Sequence, residues 1–321
     1  MKQLHRMLAA FALSAVAGAA GAQDFPNRPI TLVQGFGVGG NADTVARLIA
    51  AEMQPGLGQP VVVEARTGAG GNIASNHVAK SKPDGYTLIL LTGGHAVSAA
   101  LYRSLPFDPI KDFDMISTAT FFPFVIAVRP DHPAKDLKDL LDRARQKPQG
   151  VSFSSVGIGS TQHMTGGLLG LTAGVQLLHV PYRGGAAPLQ GVVGGDVDLL
   201  IDTMTVALPH IQAGRLRALA VTSAEPWPAL PGVPPVGATL PGFEVRSWLG
   251  VAAPRGLPPD VLQRLNKEAR RAIDSPEVKS RVATLGSVAT SSTPEEMTAM
   301  VQREVARWKR VVAEAKVPQQ D

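Results

Sequence analysis

Residues 31–47, TLVQGFGVGGNADTVAR, place a glycine-rich turn between an apolar strand and an amphipathic helix. Read alone, Gly35-x-Gly37-x-x-Gly40 matches the dinucleotide-binding fingerprint, and Glu64 closes the next apolar run, where such a fold places its ribose-binding acid. The same turn can equally cradle a small anion, because backbone N–H groups at a helix N-terminus attract negative charge. The stretch therefore predicts an α/β fold and leaves two interpretations of its function open.

Residues 1–22 have the features of a secretory signal peptide. A short basic start precedes an apolar run too short to span a bilayer, and Ala20-Gly21-Ala22 offers a small-x-small cleavage pattern. The sequence contains no cysteine, which excludes a lipid-anchored lipoprotein, a disulfide framework and thiolate chemistry. We therefore expect cleavage near Ala22 and a periplasmic protein.

The charge distribution argues against a nucleic-acid partner. The chain has a net charge of +5 at pH 7, but its basic residues are spread along it and interleaved with acids on predicted helices. Only three tyrosines and three tryptophans are available to stack on bases. Because solvated helix faces explain the basic residues, we expect no nucleic acid to bind.

Apolar runs of β type alternate with helical patterns along most of the chain. The predicted strands are Ile30–Gln34, Val61–Glu64, Tyr86–Leu91, Phe124–Val128, Val151–Ser155, Leu177–Val180, Val197–Ile201, Leu216–Val221 and Ser247–Ala252. The predicted helices between them are Ala42–Met53, Ile73–Lys82, Leu137–Gln146, Thr161–Leu171, Ala187–Val193 and Val206–Gln212. This alternation predicts parallel sheets covered by helices and built from βαβ units.

The chain is predicted to cross twice between two lobes. A new apolar strand begins near Phe121-Phe122-Pro123, after a predicted loop at Asp112–Ser117. Residues 225–242 contain six prolines and read as an extended connection, because proline cannot continue a helix or a central strand. After it, the pattern predicts the strand Ser247–Ala252 followed by helices only.

We therefore predict a type II periplasmic-binding-protein-like clamshell in which each lobe is a mostly parallel sheet flanked by helices. Lobe 1 combines residues 23–121 with residues 243–321, and lobe 2 spans residues 122–242 and includes the proline-rich crossover. Two crossings between two lobes are typical of a hinged fold that closes on a ligand.

Four glycine-rich turns follow predicted strands, and we interpret them as parts of one ligand cleft. In a doubly wound sheet these turns share the carboxyl edge of the strands, where ligands bind. Their backbone N–H groups can hold a small anion. The candidate ligand-binding residues in the turns are Phe36, Gly37, Val38, Gly39, Gly40, Ala69, Gly70, Thr92, Gly93, Gly157, Ser160 and Thr161.

Three polar side chains are further candidates, each with two open interpretations. Asp43 lies in the first helical turn after Asn41, where it can complement the helix dipole or contact ligand. Asp202 ends a predicted strand, so it can be a buried cap or can receive an amino group, a hydroxyl or water of the ligand. His163 can line the cleft or serve as a structural histidine.

The sequence gives little support to catalysis. The histidines show no HExxH or comparable metal-ligand spacing, no Gly-x-Ser-x-Gly elbow is present, and no Walker lysine follows a glycine turn. Free nicotinamide cofactor is not expected in the periplasm. We therefore expect no enzyme activity, no cofactor and no metal site. A protein–protein adaptor, the third alternative, would instead expose a large apolar patch.

At this level of detail the motifs resemble one family, the periplasmic substrate-binding proteins of tripartite tricarboxylate transporters, also called Bug receptors. The resemblance covers almost all of the chain beyond the signal peptide. It is carried in the first half by Pro26-Asn27-Arg28-Pro29-Ile30, Gly39-Gly40-x-x-Asp43-x-x-Ala46-Arg47, Leu57–Glu64, Gly68-Ala69-Gly70-Gly71, Lys82–Leu88, Leu101-Tyr102 and Leu105-Pro106-Phe107-Asp108. In the second half it is carried by Gly157-x-Gly159-Ser160-x-x-His163, His179–Gly185, Gly194-Gly195-x-Val197-Asp198 and Gly214–Thr222.

The resemblance implies a two-lobed receptor that closes on a small organic carboxylate and delivers it to a permease of one large and one small membrane subunit. Some members instead feed sensor kinases. In the family, backbone N–H groups and ordered waters from turns of both lobes hold the carboxylate. The corresponding positions here are Phe36–Gly40, Ala69–Gly71, Thr92–Gly94 and Gly157–Thr161, with His163 and Asp202 lining the same cleft. We expect a monomer.

Two departures from the family pattern stand out. The first turn usually reads Pro-Phe-Pro-Pro-Gly-Gly, whereas residues 35–40 of this chain read GFGVGG. Glycine loses more conformational entropy than proline on ordering, so we expect a more mobile turn and a weaker cradle. The usual Asn-Pro before Leu-Tyr is replaced by Ser98-Ala99-Ala100, so the ligand of a relative does not transfer directly to this chain.

Overall fold

The computed structural model describes residues 25–314 and 317–321 of the chain. The predicted signal peptide, residues 1–22, lies outside the described residues. Within the described ranges, no helix is long and apolar enough to span a bilayer.

Strands and helices alternate along the described part of the chain, as the sequence pattern predicts. The strands are β1 (Ile30–Gln34), β2 (Val61–Ala65), β3 (Thr87–Thr92), β4 (Phe113–Val128), β5 (Ser152–Ser155), β6 (Leu178–Pro181), β7 (Leu199–Thr203), β8 (Arg217–Val221), β9 (Arg246–Pro254) and β10 (Val288–Ala289). The α-helices are α1 (Asn41–Leu57), α2 (Asn72–Ala79), α3 (Gly93–Leu101), α4 (Leu137–Gln146), α5 (Thr161–Ala173), α6 (Ala187–Gly194), α7 (Met204–Gln212), α8 (Pro259–Ile273), α9 (Pro276–Thr284) and α10 (Pro294–Glu314).

Strand β4 is much longer than the sequence pattern predicts. It starts at Phe113, so the prediction of a loop at Asp112–Ser117 is wrong. Buried hydroxyl residues interrupt the apolar pattern in this part of the strand, and a distant segment provides their partners. For example, Thr118 Oγ1 donates to the Thr290 carbonyl oxygen at 2.7 Å. A partner so remote in sequence leaves no local signal.

Two smaller elements were also absent from the prediction. Helix α3 starts at Gly93, directly after β3, where the glycine pair Gly93-Gly94 predicts only a turn. The short strand β10 lies among the C-terminal helices, where the pattern predicts helices only, and it pairs antiparallel with β4.

The strands form one mixed sheet whose two halves share β4. In the first lobe, β2, β1 and β3 are parallel neighbours, and β9, β4 and β10 continue the sheet through antiparallel pairs. In the second lobe, β6, β5 and β7 are parallel neighbours, and β4 pairs antiparallel with β7 and β8. The parallel βαβ units therefore occupy the outer part of each lobe, and the antiparallel pairs surround β4.

The crossover point between the lobes lies within β4. Residues up to Pro123 pair with β9, and residues from Phe124 onward pair with β7. Thr222, fully buried, joins this point to the second chain crossing. Its hydroxyl accepts from Phe124 N–H at 2.8 Å and donates to the Val245 carbonyl oxygen at 2.6 Å. Both crossings are thus held together at one place, which is where a hinge between the lobes must bend.

Helix α1 shows how the opening stretch of sequence positions the site. Val45, Ile49 and Met53 lie four residues apart and form one buried stripe that faces the core. Gly58 ends the helix with a left-handed conformation, φ 70°, which glycine adopts without strain. Because this stripe fixes the direction of the helix, its N-terminus lies at the carboxyl end of β1.

Candidate ligand-binding cleft

A cavity of about 40 Å³ lies between the lobes, at the carboxyl ends of β1, β3, β5 and β7. The residues that line it are Phe36, Gly40, Asn41, Ala42, Thr92, Phe122, Phe124, Val156, Ser160, Thr161, Gln162, Gly185, Asp202, Thr203, Val206, Ser247 and Leu249. Much of the wall is apolar, and hydroxyls, amides and one carboxyl supply the polar side-chain groups. The carboxyl edge of an α/β sheet is the usual place for a ligand.

The first glycine turn, after β1, is held by buried side chains. Gln34 accepts from Phe36 N–H at 2.8 Å. The Asp43 carboxylate accepts from Gly39 N–H at 3.2 Å and pairs with Arg47 at 3.0 Å. Gln34 Nε2 also donates to Asp43 at 3.5 Å. The structure thus places Asp43 behind the turn, where protein groups engage both of its oxygens.

Helix α1 presents an uncapped N-terminus to the cavity. Gly40 occupies the N-cap position, where it has no side chain that could accept from the helix N–H groups. Asn41 and Ala42, the first residues of the helix, line the cavity. The N–H groups of a first helical turn carry partial positive charge. This end of the cavity therefore favours an anion.

A further glycine pair from the second lobe covers the first turn. Gly184 forms a β-bridge with Gly37, and Gly185 lines the cavity. The two backbones are so close that a Cβ added to Gly37 would lie 3.1 Å from Gly185 N. The space in front of this turn, where a dinucleotide would place its pyrophosphate, is therefore filled by the opposite lobe.

Residues Gly157–Thr161, after β5, form another glycine turn, called the second turn because it belongs to the second lobe. Two histidines support it from behind. His163 Nδ1 accepts from Gly159 N–H at 3.4 Å. The Ser155 hydroxyl accepts from Gly157 N–H at 3.1 Å and lies 2.7 Å from His179 Nε2. The turn is therefore connected to both imidazole rings.

The two histidine rings are stacked and neutral. Their centroids are 4.2 Å apart, and His179 also stacks on Phe153 at 4.9 Å. Burial lowers the pKa of His163 to about 4. Burial, together with the neighbouring His163, lowers the pKa of His179 to about 3. A neutral ring can accept from a backbone N–H, whereas a protonated ring cannot. His163 thus supports the turn and does not line the cavity.

Side-chain caps distinguish α3 and α5 from α1. The Ser160 hydroxyl accepts from the N–H group three residues further along α5, at 3.2 Å. Thr92 accepts from Gly94 N–H at 3.2 Å at the start of α3. Thr161 Oγ1 lies 3.3 Å from Ser247 Oγ, which places two hydroxyls from different lobes in contact at the cavity wall.

Glycines allow the lobes to meet above the cavity. Gly70, in the Ala69–Gly71 turn, has φ +62°, and a Cβ added there would overlap the Ile158 carbonyl oxygen of the second lobe. A Cβ added to Gly93 would lie 2.9 Å from Thr161 Oγ1. A side chain at Gly70 would hold the lobes apart, and one at Gly93 would also overlap Ser247 Oγ of its own lobe.

Asp202 is the next-to-last residue of β7 and is buried at the cavity wall. Its Oδ1 accepts from Thr203 N–H at 2.7 Å and from Gln162 Nε2 at 3.4 Å. Burial raises the pKa of Asp202 to about 6, and the hydrogen bonds from Thr203 and Gln162 oppose that rise. Asp202 thus accepts from the N–H group of Thr203, the residue that precedes α7, and also lines the cavity, while its role toward a ligand stays a prediction.

The structure brings some predicted residues to the cavity wall and places others behind it. Predicted residues that line the cavity are Phe36, Gly40, Thr92, Ser160, Thr161 and Asp202. Predicted residues that instead belong to the supporting turns and their contacts are Gly37, Val38, Gly39, Asp43, Ala69, Gly70, Gly93, Gly157 and His163. Their roles toward a ligand stay predictions.

Sequence reasoning missed several wall residues. Gly185 could have been found, because Gly184-Gly185 is another glycine turn after a strand. Phe122 and Phe124 reach the wall only because β4 crosses between the lobes, and Ser247 because β9 returns to the first lobe. No motif in the sequence marks these three positions.

Two α/β lobes joined by two crossings, with a cavity between them, define the class of periplasmic solute-binding proteins. A family model described as "Tripartite tricarboxylate transporter family receptor" matches residues 45–317. The chain belongs to this family, as its motifs predict.

Curated relatives agree with this assignment. The chain is 40% identical over 314 residues to the UPF0065 protein in the tcbD-tcbE intergenic region of Pseudomonas sp. (strain P51), covering 96% of this chain and 94% of that protein. It is 33% identical over 308 residues to the protein BugT of Bordetella pertussis, covering 94% of each.

Solved structures show the same fold. The periplasmic binding protein BugD superposes with a TM-score of 0.89 at 34% identity, covering 92% of this chain and 100% of that chain. R. palustris Rpa4515 with adipate gives a TM-score of 0.87 at 37% identity, covering 91% and 99%. MatC (Rpa3494) from Rhodopseudomonas palustris with bound malate gives 0.86 at 36% identity, covering 90% and 100%.

Proposed function

We propose that this protein captures a small organic carboxylate between its two lobes in the periplasm. It then delivers the ligand to the large and small permease subunits of a tripartite tricarboxylate transporter. The observation that carries this proposal is the uncapped N-terminus of α1, whose residues Asn41 and Ala42 line the cavity between the lobes. Relatives of the same fold with adipate and malate bound support the ligand class.

The described residues that line the cavity include no lysine and no arginine. A ligand carboxylate would therefore be held by backbone N–H groups and hydroxyls, which suits reversible capture and release. Helix N-termini stabilise anions through oriented donors and the helix dipole, without a side-chain cation.

Closure supplies the transport signal in this proposal. A ligand that bridges the first turn and the wall of the second lobe binds the closed form better than the open form, and so shifts the population toward closure. The permease then recognises the monomeric, ligand-bound receptor by its closed shape. No residue in the cleft needs to perform chemistry for this task.

A thermal-shift screen of the exported protein tests the ligand class. Di- and tricarboxylates, hydroxy acids, acidic amino acids and aromatic acids form the panel, and at least one should raise the melting temperature in a concentration-dependent manner. Stabilisation by NAD or NADP and by no carboxylate would contradict the proposal and favour an oxidoreductase.

A matched pair of variants tests the role of the α1 N-terminus. Gly40→Asp adds a carboxylate that caps the helix and competes with the ligand, whereas Gly40→Ala adds only the same Cβ against Gly185. The Asp variant should bind the stabilising acid at least about tenfold more weakly than the Ala variant, yet be about 1 kcal/mol more stable. Equal affinities would place the carboxylate elsewhere.

Uptake measurements in cells test whether the protein delivers its ligand to a permease. Deleting the gene should abolish high-affinity uptake of the stabilising acid by the parent cells. Unchanged uptake would contradict the transport step and would favour a receptor that reports ligand to a sensor kinase.

A further inference from the structure

The second-lobe wall of the cavity contains two neighbouring oxygens that lack protein partners. Asp202 is 2% exposed and Thr203 is 3% exposed. Among the described residues, Asp202 Oδ2 and Thr203 Oγ1 are buried without a hydrogen-bond partner. Both residues line the cavity. Buried polar atoms are rarely left unpaired, so an unpaired acceptor at a cavity wall points to a ligand group.

The groups that face this pair determine which ligand group fits. Among the residues that line the same cavity, strand β4 contributes Phe122 and Phe124, α7 contributes Val206 and β9 contributes Leu249, all of which are apolar. The hydroxyls of Thr161 and Ser247 also line it and contact each other. Gln162 of α5 donates to Oδ1 and leaves Oδ2 free. Asp202 is thus the one ionisable residue among the described residues that line the cavity.

We propose that Asp202 and Thr203 form a subsite for a hydrogen-bond donor, so that the protein prefers a monocarboxylate bearing a hydroxyl or ammonium group over a dicarboxylate. This inference rests on the proposed function. The ligand carboxylate lies at the N-terminus of α1, and the donor at its other end binds Asp202 Oδ2. The apolar wall between them packs against the body of the ligand.

Electrostatics separates the two ligand classes. Near neutral pH an ionised Asp202 accepts hydrogen bonds only, and a hydroxyl or ammonium group satisfies it. The second carboxylate of a dicarboxylate would place like charges together in a buried site without a side-chain cation, so one of the two must take up a proton. Dicarboxylate binding would therefore require protonation, whereas binding of a donor-bearing acid would not.

Matched acids of equal length test this preference. Hexanoate, 6-hydroxyhexanoate, 6-aminohexanoate and adipate share one six-carbon chain and differ only at the far end. Butanoate with 4-hydroxybutanoate, 4-aminobutanoate and succinate, and benzoate with its para-hydroxy, para-amino and para-carboxy counterparts, form two further series. Affinities are measured by calorimetry on protein exported from the full-length sequence, at about pH 8 and at about pH 6.

In at least one series, the hydroxy or amino acid should bind about tenfold or more tightly than both the unsubstituted acid and the diacid at the higher pH. Because burial raises the pKa of Asp202 to about 6, the lower pH should protonate it in about half of the molecules and so narrow the affinity gap between the hydroxy acid and the diacid. Asp202→Asn should reverse the order, since an amide can donate to a carboxylate.

Asp198→Asn is the matched control. Asp198 precedes the same strand, accepts from Ser152 N–H at 2.8 Å, and lies outside the residues that line the cavity. This variant should keep the wild-type order of affinities. The wild-type series and its pH dependence remain decisive if the Asp202 variant does not fold.

The inference and the proposed function fail in different ways. If a diacid or an unsubstituted acid binds as tightly as the hydroxy and amino acids at the higher pH, the donor subsite is overturned while the carboxylate receptor stands. If no member of the three series and no acid of the wider panel binds, both are overturned.

Discussion

The first turn (Phe36–Gly40) and the second turn (Gly157–Thr161) are both held in place from behind, but by different kinds of side chain. The first is held by an ion pair, because Asp43 accepts from the turn and pairs with Arg47. The second is held by neutral, stacked rings, His163 and His179. The first leaves the N-terminus of its helix uncapped, whereas Ser160 caps the helix after the second. The turn with the charged support is thus the one whose helix starts without a side-chain cap.

The first turn also explains how the chain manages without the family's prolines. Proline fixes φ by its ring, while Gly35 and Gly37, which stand where the family pattern has proline, fix nothing by themselves. Here Gln34 and Asp43 each accept a backbone N–H from the turn and so supply the restraint from outside.

The largest expected effect on stability comes from removing Asp43, the charged side chain behind the first turn. Asp43→Ala should lower the free energy of unfolding by about 3 kcal/mol, because it leaves Gly39 N–H and the buried Gln34 amide without a partner. It should also weaken ligand binding. Denaturant titration and calorimetry measure the two losses.

Asp139→Ala is a close control. Asp139 accepts from the N–H group four residues before it and from the arginine four residues after it, as Asp43 does, but on the more exposed helix α4. It should cost clearly less stability than the Asp43 variant, because solvent screens an exposed ion pair, and it should leave affinity unchanged. Equal costs for the two variants, or an Asp43 variant with normal affinity, would contradict the role given to the first turn.

An intermediate effect is expected where the second turn meets the first lobe. Gly70→Ala places a methyl group against the Ile158 carbonyl oxygen, so the lobes must part. Overpacking of this kind costs about 1–3 kcal/mol, which should appear mainly as weaker ligand binding. Small-angle scattering with saturating ligand should show a less compact protein than wild type.

Gly39→Ala separates closure from backbone strain. Gly39 also has a positive φ, +81°, but nothing lies within 4 Å of an added Cβ. This variant should lose stability without opening the lobes. A Gly70 variant that closes and binds as well as the Gly39 variant would show that the contact does not limit closure.

The smallest expected effect is a change in how the free energy of unfolding depends on pH, and it comes from the neutral histidine rings behind the second turn. The pKa of His179 is lowered to about 3 in the folded protein, so the unfolded chain takes up its proton first as the pH falls. The stability that this ring contributes is therefore complete above about pH 6.5 and is lost progressively toward about pH 3. His179→Phe keeps the stacked ring but cannot take up a proton. At about pH 5 it should therefore lose about 1 kcal/mol less of its unfolding free energy than wild type does, after a discount for solvent screening.

Phe153→Leu weakens the same stack without removing a titrating ring, and it should keep the wild-type pH slope of the unfolding free energy. Parallel slopes for wild type and the His179 variant would mean that the second turn does not depend on a neutral ring.

The sequence predicts the parallel part of the fold well because its signals are local. Strand β1, the turn and helix α1 appear where the apolar run, the glycines and the amphipathic spacing place them. Helix α4 has the predicted bounds, Leu137–Gln146, because its buried positions repeat at helical spacing and Asp136 caps it. The extended start of β4 was missed because its buried hydroxyls bond to residues far along the chain.

The site is only partly readable from sequence for a similar reason. A glycine turn identifies an edge of the sheet, but it does not show which of its residues face the cavity and which are held from behind. Asp43 and His163 look alike in sequence as polar residues shortly after a turn, and both support the turn instead of lining the wall. The far wall depends on β4 crossing between the lobes, which no short motif encodes.

The crossing of β4 has a mechanical consequence. Phe122 and Phe124 lie on either side of Pro123, meet edge to face at 5.9 Å, and both line the cavity. One ring belongs to the half of β4 that pairs with β9, and the other to the half that pairs with β7. A ligand bound in this cavity would therefore press directly on the crossover point within β4, where the lever arm between the lobes is shortest. A small increase in the thickness of a ligand bound against these rings would be magnified at the far rim of the lobes, so ligand thickness at this point would limit how completely the rim closes.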